Sequence, residues 1–195
     1  MSHYAEDSAR LQDILGTFHA GASGREQTHS SVLDLILERI ACDRVSMWKF
    51  DGPGPSLLCF ASKAAGGLLD SSDRRLEPAE YGSFFKALIE SGTYLATDAL
   101  ADPALAPLRR RYLEPNGVVS LLDAAFLLNN RAYGMVCCEE TERIRHWRAA
   151  DVAAVRAIVT KMALLMWTAP ESVLRRTPWL AVRPPPAAPP PSRRR

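Results

Sequence analysis

Residues 118–140, VVSLLDAAFLLNNRAYGMVCCEE, hold two apolar runs on either side of Asn129-Asn130. Asparagine tolerates positive φ, so this pair suits a two-residue hairpin turn between antiparallel strands. With that turn Leu128 faces Arg131, which sets Ser120 opposite Glu139 and Leu122 opposite Cys137. Asp123 then falls on the reverse face, across from Val136. The expected hairpin presents a polar pair, Ser120 and Glu139, on one side and a single carboxylate on the other. Upstream, residues 44–51 read as a strand with Ser46, Trp48 and Phe50 on one face and Val45 and Met47 on the other. The breaker GPGP at 52–55 turns the chain into residues 56–64, the antiparallel partner.

Helical periodicity fills much of the remainder. Leu11, Ile14, Leu15 and Phe18 mark an amphipathic helix, and Gly21, Ser23 and Gly24 a flexible break after it. A second helix is expected from near Ser31, with Asp34 as a weak capping box and Val32, Leu33, Ile36, Leu37 and Ile40 as its apolar face. It should end at Cys42-Asp43. A polar loop at 66–77 leads to a helix at 78–90, with Phe84, Phe85, Leu88 and Ile89 inward and Gly92 beyond its end. TYLATDAL is a short strand, and DPALAPLRRRYLEPNG holds one or two helical turns ended by Gly117. The last helix covers 148–168. Its Val152, Val155, Val159, Met162 and Met166 form a heptad seam, which predicts a dimer made through Leu11, Leu15, Val155, Val159, Met162 and Met166. The plainer use of that seam is packing within one chain. The element order is α, α, β, β, α, β, α, β, β, α, an α+β class with a mostly antiparallel sheet of five to six strands and helices on its faces.

Charge divides the chain. Beyond residue 169 six arginines stand against Glu171 alone, so the +2 total conceals a mildly acidic body and a basic tail. The tail's RPPPAAPPPSRRR cannot form helix or sheet and is expected to be disordered and polyproline II-like. The expected divisions are 1–27, an N-terminal helix and break; 28–168, the folded domain; and 169–195, the tail. No apolar run approaches the ~18 residues of a membrane helix, and the N-terminus lacks a secretory pattern. A cytoplasmic protein is expected, with no membrane association and no nucleic-acid partner. Cys42, Cys59, Cys137 and Cys138 form no C-x-x-C, and the four histidines share no i, i+4 spacing, so a metal site is not expected.

In order and spacing, RVSMWKFD, FFKALIESGTYLATDALADP, GVVSLLDAAFLLNNRAYGMVCCEE and HWRAADVAAVRAIVTKMA resemble the GAF domains of bacterial sensor proteins, including those attached to histidine kinases and diguanylate cyclases. The resemblance covers residues 28 to 168 and implies a PAS- and profilin-like fold with long terminal helices. A PAS domain itself would lack the N-terminal helix and the paired opening strands in this order. Two positions depart from the family. Arg148 stands after Trp147 where Thr or Ser usually caps the last helix, and Ala125 replaces a usual hairpin proline. No output module is legible after the domain, so a stand-alone regulator of signalling, in the manner of two-component systems, acting on a partner in trans is expected.

The family holds its ligand between the sheet and the segments joining the second strand to the fourth. The resemblance therefore implies Tyr81, Phe84, Thr97, Asp98 and Tyr112, with Trp48, Phe60, Ser120, Asp123 and Cys137 of the sheet, around a small molecule of unknown identity. Each has a plainer role. Trp48 and Phe60 suit a core, Asp98 a turn cap, and Asp123 a structural hydrogen bond. Glu139 and Glu140 read as solvated. Arg109, Arg110 and Arg111 read as an exposed face, or as a clamp for an anion with Tyr112 stacking on its base. Cys137 and Cys138 point to opposite faces and read as small buried hydrophobes. One GAF lineage reduces free methionine sulfoxide with cysteines before the hairpin. This chain has none between Phe60 and Val136, so no enzyme is expected; nor is the cysteine–histidine pair of a bilin site or the pocket histidine of a haem site present. A ligand-free docking module is the rival to a sensor.

Overall fold

Alternation along five longer strands and its interruption at two points set the architecture. The computed structural model describes residues 3–50, 56–70, 74–128 and 131–167. The strands are β1 (Arg44–Phe50), β2 (Leu57–Ala64), β3 (Gly67–Leu68), β4 (Arg75–Leu76), β5 (Thr93–Ala96), β6 (Ser120–Leu128) and β7 (Arg131–Glu140). They form one antiparallel sheet in the order β3-β2-β1-β7-β6-β5, with β4 sharing the outer edge of β2 beside β3. Seven strands fill six positions, where the pattern predicts a sheet of five to six strands. The two-residue strands β3 and β4 lie in what reads as a polar loop and are too short to carry a period.

Helices α1 (His3–His19), α2 (Arg25–Ile40) and α4 (Ala149–Trp167) cover one face, and α3 (Pro78–Ser91) with a 3-10 turn (Pro103–Leu108) and a π-helical turn (Arg109–Leu113) covers the other. Val45, Met47, Leu122, Ala124, Val136 and Cys138 pack under the first layer. Trp48, Leu57, Leu121, Ala125, Met135 and Cys137 pack under the second. Among the described residues no helix is long and apolar enough to cross a membrane.

α2 begins at Arg25, after an N-cap Gly24 that offers no side-chain bond, and not at Ser31. Thr28 instead bonds back to Gly24 O through both its N–H and its hydroxyl. The helix therefore crosses the expected boundary between residues 27 and 28. α1 belongs to the same body, since Leu11 and Leu15 sit in the core with α2 and α4. Ion pairs Arg10–Glu38 and Arg39–Asp7 fasten α1 to α2, and the Lys161 ammonium donates to Ser8 O at 2.8 Å from α4. The expected tail at 169–195 lies outside the described residues.

Both departures from the family pattern have local partners. Asp151 accepts the Arg148 N–H at 3.1 Å, so an acid one turn in supplies the cap that Arg148 cannot. Ala125 N–H donates to Gly92 O at 3.0 Å, a bond that proline could not make.

Candidate functional site

The hairpin begins as its turn predicts, with Leu128 paired to Arg131. Then a bulge intervenes. Leu127 pairs Ala132, Phe126 pairs Gly134, and Tyr133 is left over. Every pairing below slips by one: Ser120 faces Glu140, Leu122 faces Cys138 and Asp123 faces Cys137. The expected polar arrangement is thereby reversed. Asp123 and Glu139 share the α3 face, while Ser120 and Glu140 lie on the face of α1, α2 and α4.

On the α3 face these acids join a buried network. Glu139 is 1 % exposed, not solvated. It pairs through one oxygen with Arg44 of β1 and accepts the Tyr112 hydroxyl at 2.6 Å through the other. Burial raises the Tyr112 hydroxyl well above its usual pKa, and the Glu139 charge adds to this. Trp48 stands edge-on to Tyr112, ring centres 5.5 Å apart, and donates its indole N–H to Ser46 Oγ at 2.8 Å.

Asp123 is 1 % exposed and has the Cys137 thiol as its hydrogen-bonding neighbour, and its Oδ1 is buried without a partner among the described residues. Burial pushes its carboxyl well above the carboxylate range; the Cys137 bond opposes this and the Glu139 charge reinforces it. The Cys137 thiol is pushed up in turn, by burial first and then by Asp123. These side chains line a cavity of about 10 Å³ roofed by Phe84 of α3 and by Leu108, Tyr112 and Leu113 of the helical turns. That is room for about one water. The roofed hollow exists, and its own aromatic rings nearly fill it.

Trp48, Phe84, Tyr112, Asp123 and Cys137 meet at this cavity. Phe60, Thr97, Asp98 and Ser120 do not. Phe60 is the extra residue where β2 bulges against β1, since Met47 pairs Ala61 and Trp48 pairs Cys59. Phe60 lies on the face opposite Trp48 and Cys59, against His29, ring centres 5.1 Å apart. Ser120 donates to Thr97 O and accepts the Arg145 N–H, tying β6 to the segments on either side of it. Asp98 caps a turn by accepting the N–H groups of Leu100 and Ala101, both at 3.1 Å. Tyr81 lies outside the described side chains. Tyr112 points inward to Glu139 and does not stack on the arginines, of which Arg109 pairs with Glu114.

Leu11, Leu15, Val155, Val159 and Met162 are each no more than 5 % exposed, all within one core. They meet one another inside the chain and present no face to a second copy; Met166 lies outside the described side chains. Arg44 and Glu139 are the site residues that sequence reading missed. Their signal was present as a charge at each end of two apolar strands, but only the pairing of β1 with β7, Arg44 to Glu139, brings them together.

The GAF domain family model matches residues 25–166. No curated protein matched the sequence. Among solved structures the chain is similar to the blue-light-absorbing form of the PixJ GAF domain of Thermosynechococcus elongatus, at 18% identity and a TM-score of 0.61, over 80% of this chain and 86% of that one. A far-red-absorbing domain in its dark state with bound biliverdin is similar at 16% identity, TM-score 0.64, over 82% and 98%. The chromophore-binding domain of a bacteriophytochrome from R. palustris is similar at 13% identity, TM-score 0.66, over 88% and 64%. With the antiparallel sheet, the paired helical layers and a model match spanning most of its length, this chain belongs to the GAF domain family.

Proposed function

We propose that this GAF domain is a non-catalytic sensor of a small molecule, acting as a homodimer on a signalling partner in trans. One observation carries the reading: Asp123, which lines a cavity under the family's roof, holds a buried carboxyl oxygen without a partner among the described residues. Leaving a buried acceptor unpaired costs about 1–3 kcal/mol, a cost that a purely structural core has no reason to keep. A ligand or water that donates to this oxygen removes it.

The bilins of the neighbouring photosensors do not fit. The cavity has about 10 Å³, and all four cysteines are buried, none on a surface where a chromophore could attach. The ligand is compact. Binding acts on the partner only as far as it favours one arrangement of the domain over another.

A docking module is the second reading, favoured by the filling of the centre with Trp48, Phe84 and Tyr112. Native mass spectrometry of protein purified from its own cells separates the two. A retained small molecule, lost in Asp123→Leu, is the expected result; a bare mass from cells at every growth stage would favour docking. Catalysis is tested directly: with free methionine sulfoxide and a thiol reductant, turnover should not rise above background.

The dimer needs a face other than the predicted seam. α1, α4 and Arg39 of α2 leave a groove of about 350 Å³ whose α4 wall is Ala150, Ala153, Ala154 and Ala157, with Ile158 and Lys161 at the next turn. Leu164, 54% exposed, continues the same helix. Small side chains there let a helix of a second copy approach closely.

A further inference from the structure

The charges around the cavity are one-sided. Two carboxyls, Asp123 and Glu139, are served by one guanidinium, Arg44, whose Nε pairs with Glu139 beside the Tyr112 hydroxyl and whose Nη2 is buried without a partner among the described residues. Asp123 is left with the Cys137 thiol. The other titratable group beside it is Tyr94, its cross-strand neighbour on β5, whose hydroxyl donates to Asp102 at 2.8 Å. None of these supplies a positive charge. Burial first, and then the neighbouring Glu139 charge, favours the acid form of Asp123 while the cavity holds no cation. The rest of the wall joins the electron-rich rings of Trp48, Phe84 and Tyr112 and the Met135 thioether to four leucines.

We propose that the cavity beside Asp123 binds a primary ammonium group, from ammonium itself to a short alkylamine, with Asp123 as counter-ion and Trp48, Phe84 and Tyr112 as walls. This rests on the sensory reading above and names its ligand class. An anion would meet two carboxyls. A neutral molecule would leave the acid without an ion partner. Ammonium is about the size of the one water the space admits, and a methyl substituent would have to displace a roof side chain. On binding, the Asp123 O–H bond breaks and its proton goes to solvent. The carboxylate that remains accepts N–H from the ammonium group, so one positive charge enters and one leaves.

The test uses the full chain, titrated with methylammonium chloride against potassium chloride at equal ionic strength. Infrared spectra should show the carbonyl stretch of a buried carboxylic acid, which methylammonium bleaches and potassium does not. Calorimetry in two buffers of different protonation enthalpy should register release of about one proton per site. Asp123→Asn, which keeps the side-chain volume, should lack both the band and the methylammonium-specific heat. The infrared band of the unmutated chain serves as the readout should that variant fold poorly. An unaltered band, an equal response to potassium, or an Asp123→Asn variant that still releases the proton would overturn the proposal. A neutral or anionic molecule retained from cells would overturn the amine while leaving the sensor; no retained molecule together with an unaltered band would remove both.

Discussion

At Gly134 the main chain of β7 runs so close to β1 that a Cβ would stand 2.0 Å from the Trp48 carbonyl oxygen. Backbone cannot give way there as a side-chain tip would. Gly134→Ala should therefore destabilise the fold by ~3 kcal/mol or more, read from urea midpoints. The glycine sits directly after the Tyr133 bulge, and the two residues together bring Glu139, and not Glu140, to the face of Asp123. Strand parity was legible in the sequence; an extra residue within it was not, because nothing in a run such as RAYGM marks which residue is left unpaired. His29 makes a second point. Burial first, then the charges of Arg25 and Lys49, lowers its pKa from 6.5 to about 4. The fold thus favours neutral imidazole. Its contribution is complete above pH 6.5 and is lost as pH falls from 6.5 to 4, by about 3 kcal/mol at the order of magnitude. His29→Gln should flatten the pH dependence of the urea midpoint across that window.

Between elements, Arg145 is the fastening that matters most. Its guanidinium donates to Ile40 O at 2.7 Å and Ala41 O at 2.9 Å at the end of α2, to Glu140 at 2.6 Å at the end of β7, and to Asp151 at 3.3 Å at the start of α4. It also lies 4.4 Å from the centre of the Trp147 ring. Asp151 is fully buried and caps α4 at the same time. Asp151→Ala should cost about 2 kcal/mol, because it takes the acceptor from a helix end and one of four acceptors from Arg145. Arg145→Ala should cost a similar amount. The double variant should fall short of the sum, since both changes break one network. The ends of these helices were readable from apolar period and the Trp147 landmark, and the acid at Asp151 was visible too. The clamp was not, because Arg145, Glu140 and Asp151 converge only through the fold. The α4 seam shows the same division. Its spacing was right and its partner was not, for a heptad says that a stripe will be covered without saying by what. Leu11 and Leu15 of the same chain cover it. Val159→Glu should accordingly unfold the domain, costing more than ~4 kcal/mol, where an interface position would only dissociate a dimer.

For the molecule as a whole, association should run through the alanine-lined groove of α1 and α4. Sedimentation equilibrium is expected to show a dimer that Ala153→Glu or Leu164→Glu converts to a folded monomer, with unchanged circular dichroism. A chain that is monomeric before any substitution would remove the dimer from the account. The architecture was legible at this scale because order and spacing of elements survive small errors of register. Trp48, Phe84, Tyr112, Asp123 and Cys137 of the cavity were legible through the family resemblance; Glu139 beside them was not, because its face depends on register. Glu139 and Glu140 are consecutive, yet the first grips Tyr112 and Arg44 under the α3 roof while the second grips Arg145 beneath the other layer. One peptide unit thus joins the two sides of the sheet like the pin of a balance. Loosening the Tyr112 side, as Tyr112→Phe would, should be felt as faster hydrogen exchange at the Asp151 amide, on the far side of the sheet from the mutated ring.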